Sequence, residues 1–501
     1  MLRIFNIKRN QEIVVQILGG SIGGLGVANN LWIILMPFAL FIMWFGVGNK
    51  YSNFFWGFSF VFVSHFWLFH LHPLTWLGFP WILSILIPIT ILIICSMIGG
   101  SFVLSWSWIT GKFISKKDFF SRQPPITCWI RIILMSLIWA FGELILTQTS
   151  LFWIGVGESL IPGDLFLAGL ARWFGTAGIC SLQILLGFWI FLIFERWRRK
   201  LQFRKLLLVG IIVLISLHTI GALILIPKKY SANYSVAIWQ TNIPTRKKLS
   251  ISDKEIINRL NREQKKALSQ NADLLIAPEG TLRENSILKN DSEINSLIGG
   301  FRKDKNVLKS SLLAFQKGDK LPSAFIDKTR IVPLGEKVPR FLNSMGLSSI
   351  GGIDSGSKSR LFEWVKTPPF AVAICYEITD GLKIKNAIQN GGELILSIAN
   401  LDPYPPILFK QFLSLARMRS IENKRDIIIA SNTGPSGLIK NDGSIHKLFN
   451  YHDEQTKTLE TTLLNEPTFY NKYGNKPLFV IFILLFSYVI LNKKLTNNSS
   501  T

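Results

Sequence analysis

Over the first 227 residues apolar positions come in unbroken runs rather than at the spacing of one buried face. Runs near the roughly 20 residues that cross a bilayer fall at about 31–47, 54–72, 78–103, 127–148, 173–195 and 206–227, and another at about 477–492. A weaker, Gly-rich run, VVQILGGSIGGLGVANN at about 14–30, precedes them. Runs below about 18 residues are ambiguous, so this one reads either as a span or as a re-entrant or interfacial piece. Counting it gives eight spans. Between 228 and 476 the pattern changes to short apolar strands alternating with amphipathic stretches. SVAIWQTNI (235–243) predicts a strand, 253–269 a helix rich in Lys and Glu, and ADLLIAPEG (272–280) a strand ending in a turn. Further strands are predicted at 308–315, 324–332, 370–376, 393–399 and 426–431. A helix is predicted at about 407–423, its start delayed by Pro403, Pro405 and Pro406. Residues 343–366 are rich in Gly and Ser, hold no predicted element and read as a mobile loop. The fold class expected is a multi-pass α-helical membrane protein of about eight spans with an inserted α/β layered domain. The divisions are 1–227 (membrane, about seven helices), 228–476 (inserted domain) and 477–501 (last span and tail).

Charge orients this frame. Short cytoplasmic loops collect Lys and Arg. Arg3, Lys8 and Arg9, then Lys50, GKFISKKDFFSRQ, ERWRRKLQFRK and finally Lys493 and Lys494 all fall on one side if there are eight spans. The alternate loops are poor in both, with Arg172 the exception. Both termini are thus expected in the cytoplasm and 228–476 outside it. The net charge of +24 sits largely in these inside loops, where topology and anionic lipid account for it, so nucleic-acid binding is not expected. Apolar spans continue after the first, which makes it an anchor rather than a cleaved signal peptide.

Of the four cysteines, Cys95, Cys128 and Cys180 lie in or beside spans and only Cys375 falls in the exported segment. It ends the run FAVAICYE without a disulfide partner there, which leaves a reactive thiol or a buried structural one. An activated thiol needs a proton acceptor and a stabiliser for the oxyanion it creates. His446 and His452, the exported histidines, stand in no dyad spacing, and no G-x-S-x-G elbow is present. Two other strand ends carry charge: LLIAPEGT places Glu279 after an apolar run, and AFIDKTRIVPLGEKVP carries Lys328 and, eight residues on, Glu336. No paired Cys or H-x-x-x-H spacing suggests a metal, and no nucleotide loop occurs. Within the spans, Glu143 points to a bundle-interior or interfacial role. A phospholipid-headgroup role for Glu143 or Glu158 stands beside packing or helix-end anchoring.

The ordered set APEGT, DKTRIVPLGEKVP and ICYE resembles the nitrilase superfamily, whose Glu, Lys and Cys triad sits on an αββα sandwich. The eight-span frame around it is similar to the apolipoprotein N-acyltransferase family. The likeness covers nearly the whole chain, because QFLSLARMRSIENKRD and IIIASNTGPSGLI follow in the family's order. It implies Glu279 as general base, Lys328 as oxyanion-stabilising cation and Cys375 as nucleophile. Glu336 corresponds to a second active-site glutamate, and Tyr376 and Glu377 to a Cys-Tyr-Glu run. It implies N-acylation of the diacylglyceryl-cysteine of an apolipoprotein, the last step of bacterial lipoprotein maturation. The donor is a phosphatidylethanolamine-like phospholipid, the intermediate a thioester on Cys375, and no cofactor is needed. It further implies a monomer in the bacterial inner membrane, with the catalytic domain on the periplasmic face. Because both substrates are lipid-anchored, Phe341, Leu347 and Trp364 near the 343–366 loop are candidates to cover the site or dip into lipid, with ordinary packing as the alternative. The chain departs from the family in four places. TNIPTRKKLS lacks a Trp, Ile326 replaces a Tyr, Leu334 replaces an aromatic, and NLDPYPP, with Tyr404 its aromatic, replaces Asp-x-Trp-Phe. Two other classes remain open on the sequence: a membrane-tethered amidase or nitrile hydrolase, and a non-enzymatic sensor or transporter with an exported ligand-binding domain.

Overall fold

The computed structural model describes residues 9–29, 31–49, 51–75, 80–114, 126–149, 151–226, 232–245, 251–288, 291–305, 307–332, 336, 352–364 and 367–498. Arg3, Lys8, Lys50, Leu334, Phe341, Leu347, residues 343–351 and most of GKFISKKDFFSRQ lie outside the described residues. The chain divides into two compact units, one of residues 1–68, 89–226 and 473–501, the other of 69–88 and 227–472.

Each apolar run folds as a helix. In order these are α1 (Arg9–Gly26), α2 (Trp32–Phe45), α3 (Ser52–Ser64), α4 (Trp81–Phe113), α5 (Ile126–Gln148), α6 (Ala171–Arg198) and α7 (Arg204–Leu225). Among the described residues four, α4 to α7, are long and apolar enough to cross a membrane, and shorter apolar stretches occupy Ile33–Phe45 and Lys476–Asn492. The Gly-rich run is helical, and its glycines let α1 lie directly on α3. A Cβ on Gly20 would sit 2.1 Å from the Trp56 carbonyl oxygen, the close backbone approach that small residues permit in helix bundles. Glu143 is buried in this unit. It accepts from Trp139 Nε1 at 2.9 Å and from the Val156 amide at 3.0 Å, with Cys180 Sγ at 3.1 Å. Those partners tie the buried loop Trp153–Ile161 to α5, which is the packing role. Arg172, near the start of α6, is also buried, and its guanidinium donates to the Ile224 carbonyl.

Among the described residues the second unit holds twelve strands in two six-stranded sheets. The first sheet runs β12-β1-β2-β3-β4-β5, with β1 (Asn233–Gln240), β2 (Leu274–Leu282), β3 (Ser296–Asp304), β4 (Val307–Phe315), β5 (Ala324–Asp327) and β12 (Gln455–Thr462). The second runs β11-β10-β9-β8-β7-β6, with β6 (Leu361–Phe362), β7 (Phe370–Ile374), β8 (Leu394–Ala399), β9 (Ile427–Ser431), β10 (Gly437–Ile439) and β11 (Ile445–Leu448). Alternation along the strands supplies both faces. Val236, Ile238, Leu274 and Ile276 of the first sheet meet Val372, Ile374, Leu396 and Ile428 of the second in one core between them. The opposite residues Ala237, Trp239, Leu275 and Ala277 pack against Ile256 and Leu260 of α8 (Asp253–Ser269). Helices α9 (Gly381–Gln389) and α10 (Pro406–Asn423) lie on the second sheet. The result is a four-layered αββα sandwich, followed by the last helix, α11 (Lys476–Asn498).

Strands β3, β6, β10, β11 and β12 are not predicted, and four further details differ from the sequence reading. The strand predicted at 324–332 ends at Asp327: the Lys328 amide still bonds the Ser310 carbonyl opposite it (2.8 Å), but the Thr329 and Arg330 amides donate to Glu377 Oε1 instead of to β4. The strand predicted at 370–376 ends at Ile374, and Cys375–Thr379 form a tight helical turn. Residues 352–364 are ordered by pairing rather than loop-like: β6 pairs with β7, and the Asp354 and Gly356 amides donate to the Leu308 and Lys328 carbonyls. Finally, α10 starts at Pro406, since a proline at the first helical position gives up no needed donor.

Candidate active site

Two strands from different sheets deliver the acid and the thiol. In β2 the register against β3 slips between Ala277 and Leu282, so Pro278–Thr281 leave the ladder. Gly299 of β3 makes room for this bulge, because a Cβ there would lie 2.3 Å from the Pro278 carbonyl oxygen and 2.5 Å from Glu279 Cα. The slip aims Glu279 out of the strand. In β7 the chain turns sharply after Ile374, and Cys375 adopts φ 53°, the left-handed region that costs a residue with a Cβ roughly 1–2 kcal/mol. Glu377 holds that elbow. Its Oε2 accepts from the Ile374 amide (2.8 Å) and its Oε1 from the Thr329 amide (2.6 Å), the Thr329 hydroxyl (2.8 Å) and the Arg330 amide (3.2 Å). The Arg360 guanidinium pairs with it at 3.0 Å. One buried carboxylate therefore ties the thiol's turn to the segment that carries Lys328.

Lys328 is fully buried, 0% exposed, with its ammonium between two carboxylates. Its Nζ donates to Glu279 Oε1 at 2.9 Å and to Glu336 Oε1 at 2.6 Å. Ser310 Oγ donates to Glu279 Oε1 at 3.2 Å and the Asn400 amide to Glu279 Oε2 at 3.2 Å, while the Val332 amide donates to Glu336 Oε2 at 2.9 Å. Cys375, partly accessible, lies within the field of all three charges. Glu279, Lys328, Cys375 and Glu336 thus converge. Tyr376 and Glu377 flank them, with the Arg330 guanidinium 4.7 Å from the Tyr376 ring centre.

The electrostatics follow from burying two carboxylates with one ammonium. Burial alone lowers the pKa of Lys328, but Glu279 and Glu336 more than offset it and hold the ammonium well above its ordinary value. Burial raises the Glu336 carboxyl, with Lys328 opposing and Glu279 adding. Burial also pushes the Cys375 thiol strongly up; Glu279 raises it further, and Lys328 pulls it back. Burial and the two carboxylates therefore favour the protonated thiol, against the pull of Lys328.

Sequence reasoning missed Asn400 and Ser310, which hold Glu279, and Arg360 and Thr329, which hold Glu377. All four are ordinary polar residues whose roles exist only once distant strands meet. Tyr404, on the sequence only an aromatic in a divergent stretch, borders this cluster: burial raises the pKa of its phenol, and the Glu336 carboxylate raises it further. Trp364 packs against the inter-sheet core and donates to Ser323 Oγ at 3.2 Å, which is the packing alternative. Among the described residues no group of three or more His, Cys, Asp or Glu side chains is arranged to hold a metal ion.

No family model matches the chain. An apolipoprotein N-acyltransferase of Prochlorococcus marinus subsp. pastoris is 52% identical over 492 residues, covering 98% of this chain and 99% of that protein. A protein of the same name from Parasynechococcus marenigrum is 37% identical over 470 residues, covering 93% and 97%. Among solved structures, a Saccharomyces cerevisiae member of branch 10 of the nitrilase superfamily is 15% identical with a TM-score of 0.36, over 47% of this chain and 92% of its own. A carbon-nitrogen hydrolase from Helicobacter pylori is 11% identical with a TM-score of 0.35, over 46% and 88%. Those structural likenesses span only about half the chain and are slight, whereas the full-length identities are not. On those identities the chain belongs to the apolipoprotein N-acyltransferase family and is an acyltransferase.

Proposed function

We propose that this enzyme N-acylates the diacylglyceryl-cysteine at the N-terminus of bacterial apolipoproteins, with a phospholipid as acyl donor and Cys375 as the carrier. The observation that supports it is the convergence of the Cys375 thiol, the Glu279 carboxylate whose charge acts on it and a buried ammonium 2.9 Å from that carboxylate. Cys375 Sγ attacks the ester carbonyl of the donor while Glu279 takes the thiol proton. Lys328 Nζ stabilises the oxyanion that forms. The C–O bond breaks, the lysophospholipid oxygen takes the proton back from Glu279, and a thioester remains on Cys375. The α-amine of the acceptor then attacks the thioester. Glu279 accepts an amine proton, the C–S bond breaks and the proton passes to sulfur, which returns the resting thiol. Glu336 keeps the Lys328 ammonium in place through both halves, and Glu377 keeps the Cys375 elbow.

This reading takes 1–227 and 477–501 as the membrane part, with eight spans and both termini in the cytoplasm. The domain 228–476 is exported, and the enzyme works as a monomer in the inner membrane. The test is mass spectrometry of the Cys375 peptide after the purified enzyme meets phosphatidylethanolamine without acceptor. The expected result is an acyl adduct that hydroxylamine removes and that Cys375→Ser does not form as a thioester. Turnover by Cys375→Ala at the wild-type rate would overturn the assignment.

A further inference from the structure

Glu279 is held at both oxygens. Oε1 is fixed by two side chains, but Oε2 has one partner named so far, the backbone N–H of Asn400 at 3.2 Å. Asn400 follows the last residue of β8 and is only half-buried, so the direction of its N–H depends on what anchors residues 400–402.

That anchor is Asn432, in the turn after β9 and 3% exposed. Its Nδ2 donates to Asn400 Oδ1 at 3.1 Å and to the Ile243 carbonyl at 2.6 Å. Its Oδ1 accepts from the Ile243 amide at 2.8 Å and the Thr241 hydroxyl at 2.7 Å. Its backbone amide donates to the Ala399 carbonyl, and its carbonyl accepts from Asn242. Both donors and both acceptor sites of one amide are thus used. Thr245 completes the set: its amide donates to Asp402 Oδ2 at 2.7 Å, and Asn400 Nδ2 donates to its hydroxyl at 3.2 Å. The loop after β1 belongs to the first sheet, while β8 and β9 belong to the second. The clamp therefore crosses between the sheets at the end where Glu279 of one faces Cys375 of the other.

We propose that Asn432 is a positioning residue for this reaction, which aims the candidate base Glu279 at the Cys375 thiol by fixing, through Asn400, the backbone N–H on Glu279 Oε2. The inference rests on the proposed role of Glu279. Its physical basis is that small misplacements of a base cost rate steeply, up to about 10²-fold for 1 Å.

The test uses the full-length enzyme and compares wild type with Glu279→Gln, Asn432→Ala, Asn432→Asp, Asn400→Ala and the double variant Glu279→Gln/Asn432→Ala. Two quantities are read: the rate of alkylation of the Cys375 peptide by iodoacetamide at about pH 8, near the ordinary thiol range, and steady-state acyl transfer. Because the Glu279 charge raises the thiol's pKa, Glu279→Gln is expected to speed alkylation several-fold while transfer falls. Asn432→Ala should speed alkylation in the same direction and lower kcat by about 10- to 100-fold, with KM for the donor little changed. In the double variant the Asn432 effect on alkylation should vanish, the non-additivity expected of residues acting through one another. Asn432→Asp keeps the two acceptor bonds and loses the donors, and Asn400→Ala alters a half-buried site; both are expected to shift alkylation likewise if Asn432→Ala does not fold. An Asn432 effect that persists undiminished in the Glu279→Gln background, or a wild-type alkylation rate in all three Asn variants, overturns the clamp and leaves the Glu279 reading intact. No change in Glu279→Gln itself removes that reading and the clamp with it.

Discussion

Cys375 sits among two negative charges and one positive one, and each moves its proton affinity in a direction that can be read separately. Lys328 is the single charge in this set that favours the thiolate, so Lys328→Met should slow alkylation of Cys375, opposite to the change expected for Glu279→Gln. Acyl transfer by that variant should fall by roughly 10²–10⁴, the range for a lost oxyanion-stabilising or acid-base group. Alkylation faster than wild type in Lys328→Met would sink this electrostatic account. Part of this scale was legible in the chain itself. Glu279, Lys328 and Glu336 each stand in or just after an apolar run, where an unpaired charge is costly, and Cys375 ends another such run. Asn400, Asn432, Ser310 and Arg360 carry no such signal, because Asn and Ser after a strand are what any turn contains.

The segment that brings Lys328 to the site is held by its neighbours in the sheet. Arg302 of β3 grips Asp327 at the end of β5 with two bonds, at 2.7 and 2.6 Å, and Ser311 of β4 donates to the same carboxylate at 2.7 Å. Burial opposes ionisation of Asp327, yet Arg302 and Ser311 bring its pKa below the ordinary 3.8. A depressed carboxylate contributes stability that is complete above its unfolded value and is lost as the pH falls through its folded value. Arg302→Ala should therefore destabilise the two-sheet domain by about 1–3 kcal/mol at neutral pH. Thermal melts should show that difference from about pH 8 down to about 5 and see it shrink only below the ordinary carboxylate range. A difference that already fades between about pH 8 and 6 would mean another group is involved. At this scale the helices 253–269 and 406–423 and most buried strands follow from periodicity. Strand β3 escaped the sequence reading because SLIGGFRKD carries two glycines and a charged end, a poor strand by composition. It forms because both of its edges are paired, with β2 on one side and along its whole length with β4 on the other.

At the scale of the whole molecule, the basic loops and the proposed export of the two-sheet domain lead to one testable topology. A cysteine placed at the exposed end of α8 by Ser269→Cys should react with a membrane-impermeant maleimide on spheroplasts. One placed at Lys112, near the end of α4, should react only after permeabilisation. Labelling of Lys112→Cys in intact spheroplasts would overturn the eight-span arrangement. The structure adds that α1 is a true helix packed on α3, although its sequence alone left it between a span and an interfacial piece.

The sequence by itself determined the class of this protein. Uninterrupted apolar runs leave a backbone little choice but helix in a bilayer, and the order of APEGT, DKTRIVPLGEKVP and ICYE names the acid, the cation and the thiol. Only the tertiary structure decided how they work together. The strand boundary at Ile374, the left-handed Cys375, the slip that aims Glu279 and the inter-sheet clamp of Asn432 all depend on contacts between residues far apart in the chain. Local propensity cannot encode such contacts, because hydrogen bonds between two sheets exist only when both have formed.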